Sequence, residues 1–172
     1  MFTLIVGGAA SGKSAYAEAL VQRLDGPRVY LATMQPFDEE CRARINRHRT
    51  MRAEKEFVTM ERYRDVGGAD VPAGSNLLLE CLSNLIANEY FSPDHNEAET
   101  IIQGIEMLQK KCRHLTIVTN AIFSGGSDYV GDTMSYLYQL ALVNRALAVR
   151  ADLVVEVVAG CTNVLKGAVP PS

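Results

Sequence analysis

The run Gly7-Gly8-Ala9-Ala10-Ser11-Gly12-Lys13-Ser14 constrains this chain more than any other stretch. It has a glycine, four free positions and then Gly-Lys-Ser. It follows a short apolar run, Thr3 to Val6, and opens a helical stretch, Gly12 to Leu24, with Tyr16, Ala19, Leu20 and Leu24 on one face. That strand–loop–helix context is what the motif's mechanism requires. Glycines let the loop curl so that its backbone N–H groups converge on phosphate oxygens. The helix N-terminus adds a partial positive charge. Lys13 is placed to neutralise outer phosphates, and the Ser14 hydroxyl is a ligand type suited to Mg2+. The motif specifies a nucleotide phosphate and leaves the reaction open.

Short apolar runs and helical segments then alternate along the chain. Strands are expected at Arg28 to Thr33, Phe57 to Met60, Asn76 to Leu82, Leu115 to Asn120 and Leu153 to Val158. Helices are expected at Asp38 to Met51, Asn84 to Phe91, Ala98 to Lys111 and Asp132 to Val149. Asp65 to Ser75 and Ser124 to Ser127 read as loops, and the tail from Cys161 is poorly patterned. The strands are continuous apolar runs rather than in/out alternations, the mark of a parallel sheet covered on both faces. The expected fold is therefore α/β, a P-loop NTPase-like three-layer arrangement with a mostly parallel central sheet. No linker or repeat divides residues 1–172, so one nucleotide-binding domain is expected.

Composition narrows the function classes. Seventeen Lys+Arg against twenty Asp+Glu give a net charge of −3, which argues against a nucleic-acid coat. No apolar run reaches the roughly 20 residues a membrane helix needs. Met1 to Val6 is apolar but glycines follow at once, so no signal peptide is expected and the cytoplasm is the expected compartment. Cys41, Cys81, Cys112 and Cys161 are far apart and read as reduced thiols. Three scattered histidines and four scattered cysteines form no set with zinc-ligand spacing, which disfavours zinc. His95 reads as a loop residue, and His114 as a structural or solvent-facing one.

Two further features carry chemistry. Leu77-Leu78-Leu79-Glu80 is an apolar run ending in an acid. A carboxylate at the C-terminal end of a parallel strand lies near the phosphate loop, where it can hold Mg2+ directly or through water. Asp152 precedes its strand and so falls at the wrong end. The second feature is the charged helix from Asp38. Arg42, Arg44, Arg47, Arg49 and Arg52 surround His48, with Arg44 four residues before it and Arg52 four after. Guanidiniums on both sides bias an imidazole toward its neutral, nucleophilic form and can hold phosphates. Acids first and bases last also suit an ordinary exposed helix. From the residues alone, a solvated face and a covalent histidine both stand.

The order of phosphate loop, helical histidine and acidic strand resembles the bifunctional adenosylcobinamide kinase / adenosylcobinamide-phosphate guanylyltransferases of cobalamin biosynthesis. The resemblance rests on the Gly7–Ser14 loop, Tyr30-Leu31-Ala32-Thr33 with Gln35, and Asp38-Glu39-Glu40 with Arg44-Ile45 and His48-Arg49. It continues through Thr59 with Glu61, Leu78 to Leu82 with Asn84, Val118-Thr119-Asn120, and Val143-Asn144 with Leu147-Ala148. It implies phosphorylation of adenosylcobinamide by ATP or GTP, then GMP transfer from GTP through a GMP–histidine on His48. Nucleotide contacts carried over by position are Gly7, Gly8, Ala9, Ala10, Ser11, Gly12, Lys13, Ser14, Ala32, Thr33, Met34, Arg49, Thr50, Met51, Arg52, Glu61 and Glu80. Catalytic roles fall to His48 and Lys13, and Mg2+ to Ser14 and Glu80. The resemblance also implies a homo-oligomer, a trimer, with a corrinoid substrate, while charge and hydropathy leave no nucleic-acid or membrane partner expected. The chain departs from the family pattern at Ala10, Ala121, Leu137, Tyr138 and Ala141. Two alternatives stand: a P-loop kinase of another small alcohol, with His48 only a charged-face residue, and a GTP-binding regulatory module without catalysis, which Ala10 and Ala121 keep open.

Overall fold

Leu77, Leu78 and Leu79 are all fully buried, yet they face two different cores. Leu77 and Leu79 join one apolar cluster and Leu78 the other. Successive strand residues point to opposite faces, so a continuous apolar run is what a doubly covered strand needs. The molecule is described here by a computed structural model covering residues 1–39, 42–43, 45–46, 50, 55–121 and 131–169. Its strands are β1 (Phe2–Gly7), β2 (Arg28–Ala32), β3 (Phe57–Glu61), β4 (Asn76–Glu80), β5 (His114–Asn120), β6 (Leu153–Val158) and β7 (Cys161–Lys166). Its helices are α1 (Lys13–Gln22), α2 (Leu82–Tyr90), α3 (Ala98–Lys111) and α4 (Asp132–Arg150).

The strands form one seven-stranded sheet in the order β3-β2-β4-β5-β1-β6-β7. Every pairing is parallel except β6 with β7. One face of the sheet is covered by α1, through Ala17, Leu20 and Val21. The other is covered by α2, α3 and α4, through residues such as Leu85, Ile105 and Leu147. The register lines up the strand ends that matter. Gly7 lies opposite Asn120 and Val157, and Ala32 lies opposite both Glu61 and Glu80.

Several expectations shift. The strand expected to run to Leu82 stops at Glu80, and α2 begins at Leu82, whose side chain turns into the core. The buried face of α1 is Ala17, Leu20 and Val21, while Ala19 is exposed. The misleading residue is Glu18, which is buried because it pairs with Lys55. The Asp65 to Ser75 stretch is more than a surface loop. It holds a 3-10 turn, Val66–Gly68, and buries Val66, Ala69 and Val71 against the larger core. Lys111 Nζ ties it down by donating to the Gly67 and Ala69 carbonyls at 2.6 and 2.9 Å.

The poorly patterned tail is an edge strand, β7. All six of its residues are exposed, so there is no buried face to print a period on the sequence. It pairs back across a two-residue turn, Ala159-Gly160, with both residues at positive φ (50° and 81°). That is a hairpin geometry in which alanine is unusual, which hides the turn. Asp152, set aside as misplaced for chemistry, accepts a 2.7 Å hydrogen bond from the Phe2 N–H at the opposite end of the sheet.

Gly167 closes β7 at φ +75°, where an added Cβ would lie 2.1 Å from the Asp152 carbonyl oxygen. Gly167→Ala is expected to destabilise the fold by roughly 2 kcal/mol or more, through left-handed strain plus that clash. Urea unfolding measures it, and an unchanged midpoint would refute the assignment.

Candidate active site

The Gly7–Ser14 loop crosses the C-terminal end of β1 and delivers Lys13 as the first residue of α1. Its curvature is glycine-dependent at two points. Gly12 has φ 91° and lies against Gly160. A Cβ on Gly7 would come within 2.5 Å of Ser11 Oγ and 2.6 Å of the Val157 carbonyl. Lys13 is only 9% exposed, and its Nζ donates to the Gly8 carbonyl at 2.9 Å. The ammonium is thus folded over the loop it serves. Neighbouring backbone holds the loop from outside. Ala121 N–H donates to Gly7 O at 3.0 Å, and Gly160 N–H donates to Ser11 O at 2.9 Å.

Glu80 stands at the end of β4, two strands from β1. The Ser14 hydroxyl donates to its Oε1, while its Oε2 is buried without a hydrogen-bond partner. A buried carboxylate oxygen left unpaired is costly, so it calls for a cation or a proton donor. The hydroxyl and the carboxylate are hard oxygen donors of the kind Mg2+ accepts. Among the described residues no group of three or more His, Cys, Asp or Glu could hold a metal. A cation that keeps waters and borrows phosphate oxygens suits such a sparse donor set.

Beyond Glu80 a small apolar cleft opens, lined by Tyr30, Ala32, Met34, Ile45 and Cys81. Thr33, fully buried, fastens one wall: its Oγ1 donates to the Cys81 carbonyl at 2.8 Å, and its N–H to Glu80 O at 3.1 Å. Glu61 ends β3 across from Ala32 and accepts from the Tyr63 hydroxyl at 2.7 Å. So the structure brings Gly7 to Ser14, Ala32 to Met34, Glu61 and Glu80 to one rim of the sheet. Thr50 is helical and exposed, its Oγ1 donating to Asn46 O at 3.1 Å. His48, Arg49, Met51 and Arg52 lie outside the described residues, as do Arg44, Arg47, Cys41 and the Ser124–Ser127 loop.

The sequence reading missed a polar cluster beside Glu80. Asn120 Nδ2 donates to Ser83 Oγ at 2.6 Å, Cys81 Sγ lies 3.1 Å from that oxygen, and the Tyr136 hydroxyl donates to Ser83 O at 3.1 Å. Burial, outweighing the other influences, pushes the Cys81 thiol above its usual range. Burial likewise raises Tyr136 to about 12, with the nearby Cys81 adding to the shift. The other two histidines are structural in placement. His95 Nδ1 contacts the Tyr90 carbonyl at 2.8 Å, and burial lowers the His114 pKa.

Because desolvation disfavours thiolate, Cys81 stays protonated at neutral pH and loses its proton only well into the alkaline range. Alkylation at pH 8, mapped by peptide mass spectrometry, is expected to be about 10-fold slower at Cys81 than at exposed Cys161. Raising the pH should speed the alkylation of Cys81. Equal rates at pH 8 would contradict this.

A family model described as "Cobinamide kinase / cobinamide phosphate guanyltransferase" matches residues 3–165. Over 178 residues the chain is 33% identical to the bifunctional adenosylcobalamin biosynthesis protein CobU of Escherichia coli (strain K12), covering 93% of this chain and 97% of that protein. It is 29% identical to the bifunctional adenosylcobalamin biosynthesis protein CobP of Pseudomonas aeruginosa, covering 97% and 98%. In solved structures it resembles the flagellar accessory protein FlaH of Methanocaldococcus jannaschii. That match has 12% identity and a TM-score of 0.53, with 96% of this chain and 78% of that one covered. It also resembles a solved ATPase domain, at 14% identity and TM-score 0.51, with 90% and 68% covered. The two structural likenesses speak for the fold alone.

Proposed function

The chain belongs to the cobinamide kinase / cobinamide phosphate guanyltransferase family, a family of transferases, and on that premise we propose how its own residues divide the two reactions. The observation that carries the reading is the single rim holding the Gly7–Ser14 loop, Glu80 and the Ala32–Met34 wall. Residues 1–172 act as one nucleotide-binding domain.

In the kinase step the loop amides and Lys13 hold the phosphates of ATP or GTP, and the terminal phosphoryl passes to the hydroxyl of adenosylcobinamide. Ser14 and Glu80 would hold Mg2+, which would supply charge neutralisation for the transferring phosphates. The buried, unpartnered Glu80 Oε2 supports this placement. In the second step His48 attacks the α-phosphorus of GTP and pyrophosphate leaves. The cobinamide phosphate then displaces the imidazole, giving the GDP-corrinoid. Arg49, Thr50, Met51, Arg52, Glu61 and Ala32 to Met34 form the nucleotide side of that step. Ile45, three residues before His48 in the sequence, lines the cleft beside Glu80.

The substrates are a corrinoid and nucleotides. Among the described residues no helix is long and apolar enough to cross a membrane. We place the protein in the cytoplasm as a homo-oligomer, a trimer by family likeness.

Labelled GTP is expected to leave an acid-labile GMP on the protein. His48→Asn should abolish the label while kinase turnover persists, and persistent labelling would remove His48 from the role. Glu80→Gln is expected to lower kinase kcat by about 100-fold and to raise the Mg2+ concentration needed for half-maximal rate. An unchanged Mg2+ dependence would remove Glu80 from the metal site. Mass spectrometry of adenosylcobinamide incubated with GTP separates a bifunctional enzyme from a kinase of another alcohol or a binding module.

A further inference from the structure

We propose that Asn120, oriented by Ser83, touches the transferring phosphoryl group in the kinase step and stabilises its developing charge. Asn120 ends β5, the strand that lies between β1 with its loop and β4 with Glu80. In register it stands level with Gly7 and two residues beyond Val118, the partner of Glu80. The next residue, Ala121, donates its N–H to Gly7 O, so the end of β5 is fastened to the loop itself. The Asn120 amide reaches Ser83 in the first turn of α2, across the end of the sheet, while Glu80 has the parity of Leu78 on the α1-side face. The Ser14–Glu80 hydrogen bond lies on that face. A phosphoryl group held between Lys13 and Glu80 therefore comes to lie over the end of β5.

Ser83 makes the amide a fixed donor. One Nδ2 hydrogen is used on Ser83 Oγ at 2.6 Å, which locks the plane and the orientation of the amide. Ser83 is itself held, with its side chain buried, its Oγ against Cys81 Sγ and its carbonyl bound by Tyr136. The second Nδ2 hydrogen points away from Ser83 and donates to a terminal phosphoryl oxygen. The acceptor hydroxyl oxygen forms the new bond to the terminal phosphorus. The bond from that phosphorus to its bridging oxygen breaks, and the electron pair leaves on the nucleoside diphosphate. The hydroxyl proton passes to water, and Asn120 neither gains nor loses one. A preoriented donor of this kind acts on the transition state more than on the bound nucleotide. Asn120 is thus a catalytic residue, and Ser83 its positioning residue.

The inference rests on the kinase reading above, and the test separates the two. Steady-state kinase kinetics with adenosylcobinamide are compared for wild type, Asn120→Ala, Ser83→Ala and Ser83→Thr, with thermal melts alongside. Asn120→Ala is expected to lose about 100-fold in kcat with nucleotide KM within about 2-fold. Ser83→Ala should lose about 10-fold in kcat, and Ser83→Thr, which keeps the hydroxyl, should restore it. GMP labelling by GTP should change far less than kinase turnover in all three. A kcat for Asn120→Ala close to wild type, or a loss expressed in KM, overturns the proposal. If Asn120→Ala folds poorly, the Ser83 pair decides alone, and failure of Thr to restore what Ala removes overturns it. No kinase turnover by wild type overturns the kinase reading and this proposal with it.

Discussion

A loop that turns its backbone N–H groups toward a ligand has few left to hold itself. The rest of this structure follows from meeting that constraint. The Gly7–Ser14 loop gives up carbonyls instead: Gly7 O to Ala121 N–H, Ser11 O to Gly160 N–H, and Gly8 O to the Lys13 ammonium. The two backbone donors come from the strand ends on either side of β1, so both neighbours must be parallel to it and in register. That requirement places β5 and β6 beside β1, and with them Asn120 and the Ala159-Gly160 turn. Net hydrogen-bond energies are only about 1 kcal/mol each, so the value of these contacts lies in fixing shape.

The same economy explains the buried charges. Glu18 on α1 and Glu89 on α2 are both almost fully buried, and each is answered. Glu18 pairs with Lys55, while Glu89 accepts from Asp65 N–H at 2.6 Å and Asn96 Nδ2 at 2.8 Å and lies near Arg64. Glu80 differs, because one oxygen has Ser14 and the other has nothing. Among the described residues the other buried carboxylates are satisfied, so the incomplete one marks a place suited to a group the chain does not supply.

Much of the scaffold could be read in the residues, because it rests on local rules. Leu77-Leu78-Leu79 announced a doubly covered strand, Gly12-Lys13-Ser14 a helix N-terminus, and Ala98 to Lys111 kept its helical period to both ends. What was hidden depended on partners distant in sequence. Glu18 is buried because Lys55, far away in the sequence, meets it, and β7 had no period because all six of its residues are exposed. Of the candidate site, the loop and Glu80 were legible as motif and strand end. The Asn120–Ser83 contact was not, since it joins residues 37 apart and neither has a distinctive neighbour.

The departures from the family pattern look different once their atoms are located. At Ala121 the work is done by the backbone: its N–H holds Gly7 O, and any side chain there leaves that bond intact. At Ala10 the chain adopts φ 55°, a left-handed conformation that costs a non-glycine residue roughly 1 kcal/mol. A residue kept in that strain by its surroundings shows that the loop's curvature is imposed by the fold rather than chosen by position 10. Leu137 and Tyr138 lie in the first half of α4, and Tyr138 is exposed. Neither has any part in the bonds that shape the loop or reach Glu80. The rim that carries the Gly7–Ser14 loop and Glu80 is therefore built from contacts that these substitutions leave in place, and their consequences fall on what approaches the rim from outside.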